Sequence, residues 1–160
     1  MPIFMKIDGV KGAVQAVGYE EHIALDSIQY GVGRGVSSFT GTSREVSSPS
    51  FSEISCSKTL DSASQPIFRN AMFGDAIDEI KIFFVRDKTM GELEAYLTIT
   101  LQNVLVTNYS ISHSSGGDVP SESFSLNFMI HHHEQTWRSD DYSEGGEDES
   151  SYDLSQMKPI

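Results

Sequence analysis

The chain has 160 residues, 38% of them hydrophobic, and carries a formal charge of −12 with one cysteine. That length suits one domain with a real core. The lone Cys56 excludes an internal disulfide framework and fits folding in a reducing cytoplasm, and no Lys/Arg cluster marks a nucleic-acid footprint. No segment approaches the about 20 apolar residues of a membrane helix. Lys6 and Asp8 fall where a signal peptide would need continuous apolar residues, so any export is expected to bypass the general route.

Ile3, Met5 and Ile7 alternate with Phe4, Lys6 and Asp8, which predicts a short first strand ending at Gly9. Val10 to Tyr19 reads as a loop. His22 to Gly31 predicts a second strand with mixed faces, Ser27 and Gln29 sharing the parity of Ile23 and Leu25. From Gly31 to Pro49 glycine and serine dominate and few residues can fill a core. A stretch this long is expected to be either functional or disordered, and it is compatible with a projecting hairpin. Phe51 to Thr59 predicts a third strand, in which Cys56 reads as a small buried hydrophobe rather than a nucleophile.

The one helix is expected from Ser62 to Gly74. Ser62 with Gln65 fits a capping box, or Ser64 caps with Pro66 in the first turn, and Gly74 would close the helix at C′. Ile67, Phe68, Ala71 and Met72 form a stripe that needs the sheet for support. A fourth strand follows at Ile80, Ile82 and Phe84, and Asp87 to Gly91 turns the chain into a long hairpin. Its outgoing arm, Tyr96 to Ile111, places Leu97, Ile99 and Leu101 inward and Thr98, Thr100 and Gln102 toward water. The alternation blurs at Asn103–Val106, as in a strand covered on both faces or bent by a bulge. The return arm, Ser123 to His133, continues with Phe124, Leu126, Phe128 and Ile130 inward, after a loop in which Gly116-Gly117 supply positive φ.

Beyond His133 the period is lost, and seven acids (Asp140, Asp141, Glu144, Glu147, Asp148, Glu149, Asp153) lie between Arg138 and Lys158 without a base. That run reads as a solvated, self-repelling segment or, alternatively, a docking tail for a basic partner, with a last strand or anchor at Ser151–Leu154. The expected division is a β-domain over 1–135 and a partly ordered acidic segment over 136–160.

Chemistry-bearing patterns are sparse. In a strand His131 and His133 would share one face, a spacing open to two imidazole ligands, but no local pattern supplies a third. His132 would take the inward parity of Phe128 and Ile130, and the cluster reads as a strand-end surface rather than a metal site. No Gly-x-Ser-x-Gly elbow occurs, and Gly31–Gly35 lacks the strand and helix around a phosphate loop. The tail carboxylates are too exposed for tuned acid–base roles. The sequence argues for neither an enzyme nor a cofactor.

Several stretches resemble the Hcp (hemolysin-coregulated protein) family, the inner-tube subunit of bacterial type VI secretion systems. They are Phe4–Gly12, Ser57–Pro66, Glu94–Val106, Ser114–Asp118 and Ser125–Phe128, and together the similarity spans most of residues 2 to 131. Gln65 adds one residue before Pro66 relative to the family pattern, and the histidine triplet and acid-rich tail depart from it. The resemblance implies a mainly β fold: a single small β-barrel of two packed antiparallel sheets, one flanking helix and a long extended loop. It implies six-membered rings stacked into a tube, a contractile sheath around it, a VgrG spike at its tip and effector proteins in its lumen. Such a subunit would assemble in the bacterial cytoplasm and be secreted without a signal peptide. On that basis Ser27, Gln29, Thr98 and Thr100 are candidates for the luminal wall. Phe39, Thr40, Arg44 and Val46, with Phe39 as anchor, are candidates for contacts between subunits or rings. The alternatives are a monomeric secreted β-barrel effector with a metal on His131 and His133, and a phage-like tail-tube subunit.

Overall fold

The structure, a computed structural model, describes residues 1–38, 44–89, 91–138 and 144–160. It is mainly antiparallel β with one helix. Strand β1 (Ile3–Ile7) is followed by β2 (Ile23–Leu25) and β3 (Ser27–Gln29), which are one bent strand interrupted at Asp26. The expected second strand is therefore present, with a corner in it: Asp26 N–H donates to the Ser57 carbonyl at 2.8 Å as the chain passes from one neighbour to the next. Four short strands, β4 (Val32–Gly33), β5 (Val36–Ser38), β6 (Arg44–Val46) and β7 (Ser50–Phe51), precede β8 (Ile54–Thr59) and helix α1 (Ser64–Phe73). The long strands β9 (Ile77–Thr89) and β10 (Glu92–Ser112) come next, then β11 (Ser121–Asn127), β12 (Ile130–Arg138), β13 (Glu144–Asp153) and β14 (Lys158–Pro159).

Pairing runs from β2 to β1, β1 to β9, β9 to β10, β10 to β11, β11 to β8 and β8 to β3. Because β3 continues β2, this circuit returns to its start, and the strands wrap around one core. Met5, Ile23, Ile54, Ile80, Ile82, Ile99, Leu101, Val104 and Leu126 are fully buried there. Closing the circuit leaves few barrel edges to protect.

The 21-residue β10 is the spine. Its first half lies between β9 and β12, and its second half pairs with β11. Ile99 and Leu101 are buried, then Val104 and Val106, so the buried parity changes from odd to even between them. Asn103, with φ of 54°, is where it changes. Asn tolerates the left-handed region better than branched residues do. A second irregularity lies between Val106 and Asn108. The blurred alternation at 103–106 is thus a strand that switches which face it buries.

The return arm switches in step. Leu105 opposes Asn127 and Gln102 opposes Ile130, one unbroken offset, with Phe128 and Met129 outside either strand. Phe124, Leu126 and Phe128 are buried before the switch and His131 after it. The expectation that His132 continues the inward parity is corrected: the break at Met129 turns His131 inward.

The end of the chain also differs from expectation. β12 runs on to Arg138, and acid-rich β13 pairs back along it from Arg138↔Glu144 to Ile130↔Asp153. The boundary expected at 135/136 falls within β12. The apolar period disappears there because these strands are held by backbone pairing and bury little.

Helix α1 begins later than expected. Asp61 accepts a hydrogen bond from Ala63 N–H at 2.8 Å, and Ser64 Oγ accepts one from Asp61 N–H at 2.9 Å. These two bonds close the turn before the helix, and the caps expected from Ser62 with Gln65 or from Ser64 are not formed: no side chain caps α1 at its N-cap, Ala63. Ser62 Oγ instead donates to the Lys11 carbonyl. The helix does stop at Gly74, but with extended backbone (φ −73°, ψ 151°) rather than a left-handed C′. Glycine is required there because a Cβ would lie 2.5 Å from Asn70 Cα.

Under the helix start sits a charged core. Lys58 and Glu122 are 0% and 1% exposed, and Lys58 Nζ donates to Glu122 Oε1 at 2.5 Å and to Asp61 Oδ1 at 2.7 Å. Ser64 Oγ and Tyr109 Oη also donate to Glu122. Burial, then the bond to Glu122, pushes the Tyr109 phenol up to about 12.

Asn103→Gly is expected to leave stability nearly unchanged, while Asn103→Val should cost about 1–2 kcal/mol for forcing a β-branched residue left-handed. Urea unfolding at one fixed protomer concentration measures both. Equal losses for Gly and Val would show that the Asn103 side chain, and not its backbone conformation, is what matters.

Candidate assembly surfaces and the histidine cluster

Between Gly31 and Ser52 the chain forms a two-stranded ribbon. Val32 and Gly33 pair with Phe51 and Ser50, and Val36, Ser37 and Ser38 pair with Val46, Glu45 and Arg44. Where the ladder is interrupted, serines staple it: Ser47 Oγ accepts from Gly35 N–H at 2.8 Å, and Ser52 Oγ accepts from Gly31 N–H at 2.8 Å. The described strands of the ribbon are thus paired with one another, but Val32, Val36 and Val46 are 61%, 56% and 50% exposed. A two-stranded ribbon is at best marginal alone in water. Of the loop candidates, Arg44 and Val46 lie exposed on β6, whereas Phe39 and Thr40 lie outside the described residues.

The ribbon is rooted in an aromatic cluster. Phe51 packs with His131, Tyr152 and Phe128 at ring-centroid distances of 5.4, 5.5 and 6.0 Å. Tyr30, at the other root, lies 5.8 Å from His131, and its hydroxyl is 3.4 Å from His133 Nδ1. His131 is 6% exposed, and its Nε2 has no hydrogen-bond partner among the described residues. Burial first, then His133 and His132, lowers its pKa to about 4. His133 is lowered too, by burial and then by His132. His131 and His133 do share a face, as expected, but it is the inner, aromatic one, so the reading as a strand-end surface is corrected for these two, while His132 lies on the outer face. Sequence reasoning missed this because the parity change at Met129 has no side-chain signature.

Ser27 and Gln29 sit together on the outer face of β3. Ser27 opposes Ser57, which opposes Ser123, which opposes Ser110, a serine row across β3, β8, β11 and β10. Ser27 Oγ is 2.5 Å from Ser57 Oγ, and Ser110 Oγ is 2.6 Å from Ser123 Oγ. Gln29 begins the next row, with Ser55, Ser125 and Asn108. Serine at every second place in β8 and β11 was the available signal for these partners. Thr98 and Thr100 occupy a separate part of the sheet, between Phe83 and Glu134 and between Lys81 and His132. The four luminal candidates therefore form two groups.

Cys56 is buried, and burial pushes its thiol up to about 12, which keeps it protonated at neutral pH. No helix among the described residues is long and apolar enough to cross a membrane.

The sequence matches the family described as "Type VI secretion system effector, Hcp" over residues 4–137. No curated protein matches it. Among solved structures, one of a type six secretion system protein superposes with a TM-score of 0.91 at 20% identity, covering 99% of each chain. Hcp1 from Salmonella typhimurium gives 0.79 at 22% identity, over 99% of this chain and 98% of the other. A type VI secretion system effector from Yersinia pestis gives 0.73 at 19% identity, over 94% and 98%. At these identities the likeness shows the shared fold.

The buried imidazole makes stability pH-dependent. In the unfolded chain His131 titrates near its ordinary 6.5, and in the fold near about 4. Between those values the unfolded state binds a proton that the folded state does not. Stability from this group is therefore complete above pH 6.5 and falls as pH drops toward 4. His131→Phe, which removes the unpartnered Nε2, should flatten that part of the urea-midpoint profile relative to the native protein. Parallel profiles for the two proteins would rule out His131 as the source.

Proposed function

Because the chain belongs to the Hcp family, we propose that it is the structural subunit of a type VI secretion inner tube. In this reading it forms six-membered rings that stack, hold effector proteins in the lumen, and are themselves secreted. The observation that carries it is the described part of the ribbon between Gly31 and Ser52: its strands pair with each other, yet its valines face water. Such a surface is completed by another protein surface. Closed rings need two different, complementary patches on each subunit, and a projecting ribbon supplies one that its own barrel does not cover. Arg44 and Val46 contribute to that contact; Phe39 and Thr40 lie outside the described residues.

The serine rows beginning at Ser27 and Gln29 give the lumen a wall of short, uncharged polar groups, and Thr98 and Thr100 add a second polar patch flanked by Lys81, His132 and Glu134. Such a wall can hydrogen-bond varied cargo without a large apolar surface to trap it. The sheath, the VgrG spike and luminal effectors are the proposed partners, with assembly in the bacterial cytoplasm and then release to the outside or into a target cell. No catalytic step or cofactor is part of this reading.

Light scattering on a sized fraction, with negative-stain imaging of the same fraction, should give closed rings of about six subunits. Val46→Asp, at an exposed position, should leave the fold intact by circular dichroism and shift the mass toward the monomer. A monomer for the unmodified protein over a wide concentration range would overturn the tube reading in favour of a monomeric effector. Unchanged rings in Val46→Asp would remove β6 from the interface.

Gln29→Arg should keep the ring mass but weaken co-purification of luminal cargo by imposing a ring of charge. Full cargo retention would place Gln29 outside the wall.

A further inference from the structure

We propose that the outer face of the β12–β13 hairpin holds a divalent transition-metal ion, zinc by ligand type, on His132, Glu134 and Glu149. The inference does not rest on the ring reading. One ligand atom from each of these residues lies within 4.8 Å of the other two. His132 and Glu134 are two apart on β12 and so share a face, and Glu149 is the direct cross-strand partner of Glu134.

Three features distinguish this group from an ordinary acidic surface. His132 Nδ1 is hydrogen-bonded to Ser151 Oγ, its cross-strand neighbour, while Nε2 lies 3.6 Å from Glu149 Oε2. A metal on Nε2 would require the tautomer in which Nδ1–H donates to Ser151, the arrangement that orients imidazole ligands. A tetrahedral zinc with bonds of 2.0–2.2 Å sets its ligand atoms about 3.3–3.5 Å apart, close to the 3.6 Å between His132 Nε2 and Glu149 Oε2, and Glu134 would close in from within 4.8 Å. Second, Glu134 directly opposes Glu149, and like charges in that position repel. Among the described residues no lysine or arginine forms an ion pair with either. A cation turns that repulsion into ligation. Third, the next residue on the row, Thr136, has a buried Oγ1 without a partner among the described residues. That oxygen lies on the same strand face as His132 and Glu134.

One imidazole and two carboxylates suit zinc better than the all-oxygen ions. The site is open to water on a sheet surface. Its effect is structural: it ties β13, whose acids repel one another, to β12 and through β12 to the spine strand β10.

Zinc chloride titrated into tag-free protein by calorimetry, with bound metal counted by elemental analysis after dialysis, tests this. The expected result is one zinc per chain and a higher thermal midpoint with zinc than with chelator. His132→Asn and Glu149→Gln should each weaken binding at least tenfold and abolish the thermal shift, while His113→Asn, in the distant loop, should match the unmodified protein. Circular dichroism checks the fold of each, and because both residues lie at or near the surface, two independent variants guard against one that fails to fold. Absence of stoichiometric zinc, or undiminished binding in both variants, would overturn the proposal. In the second case the metal would lie elsewhere, for example on the pair His131 and His133.

Discussion

The constraint on which most of this structure depends is the change of buried face along β10. A 21-residue strand with strict alternation would present one side to a core for its whole length. β10 instead serves β9 and β12 with Ile99 and Leu101, then β11 with Val104 and Val106. A left-handed residue at Asn103 lets one strand belong to two regions of a strongly curved sheet. Curvature of this kind ordinarily comes from bulges, and a second irregularity at Val106–Asn108 adds to it. The partner chain must change face at the same level or expose its core residues. It does so at Phe128–Met129, without losing register.

The helix end of the barrel is governed by a different interaction. Lys58 and Glu122 are both removed from water, and a buried ion pair does not by itself guarantee stability, since desolvation offsets the attraction. What makes this pair acceptable is the company it keeps: Asp61, Ser64, Tyr109 and the Thr59 carbonyl fill the remaining hydrogen-bonding positions. Asp61 and Ser64 also hold the turn that leads into α1, so the helix start and the charge network share the same atoms. A sheet-docked helix of only ten residues is too short to persist on its own propensity. Its position is fixed by polar geometry at Ser64 and by burial of Ile67, with Phe68, Met72 and Phe73 left exposed.

Much of this was legible in the sequence. Alternation found β1, β8, β9 and the spine, and the composition of 31–49 separated a stretch with few core-forming residues from the barrel around it. What could not be read had three physical origins. Parity switches depend on a single backbone φ, so His131 and His132 exchanged roles. Capping depends on which polar side chain reaches which N–H, and Asp61 reached Ala63 before Ser62 could act. Strands held by backbone pairing with both faces wet carry no hydrophobic period, so β13 looked like a tail. The reading of Cys56 as a buried apolar residue was legible because burial by alternation is what the period measures.

The histidine cluster joins these themes. Because β12 changes face at Met129, adjacent histidines enter opposite environments: His131 joins Tyr30, Phe51 and Phe128, and His132 faces Glu134 and Glu149. On the inner side the imidazole behaves as an aromatic filler whose charged form is disfavoured, and it helps root the ribbon through Phe51. On the outer side the next imidazole is polar, half-exposed and held by Ser151. The ribbon's root and the acidic hairpin are consequently coupled through one strand, since Tyr152 of β13 also packs on Phe51. Anything that alters how β13 lies on β12 moves an aromatic neighbour of the ribbon, and the surface proposed for assembly is built on that root.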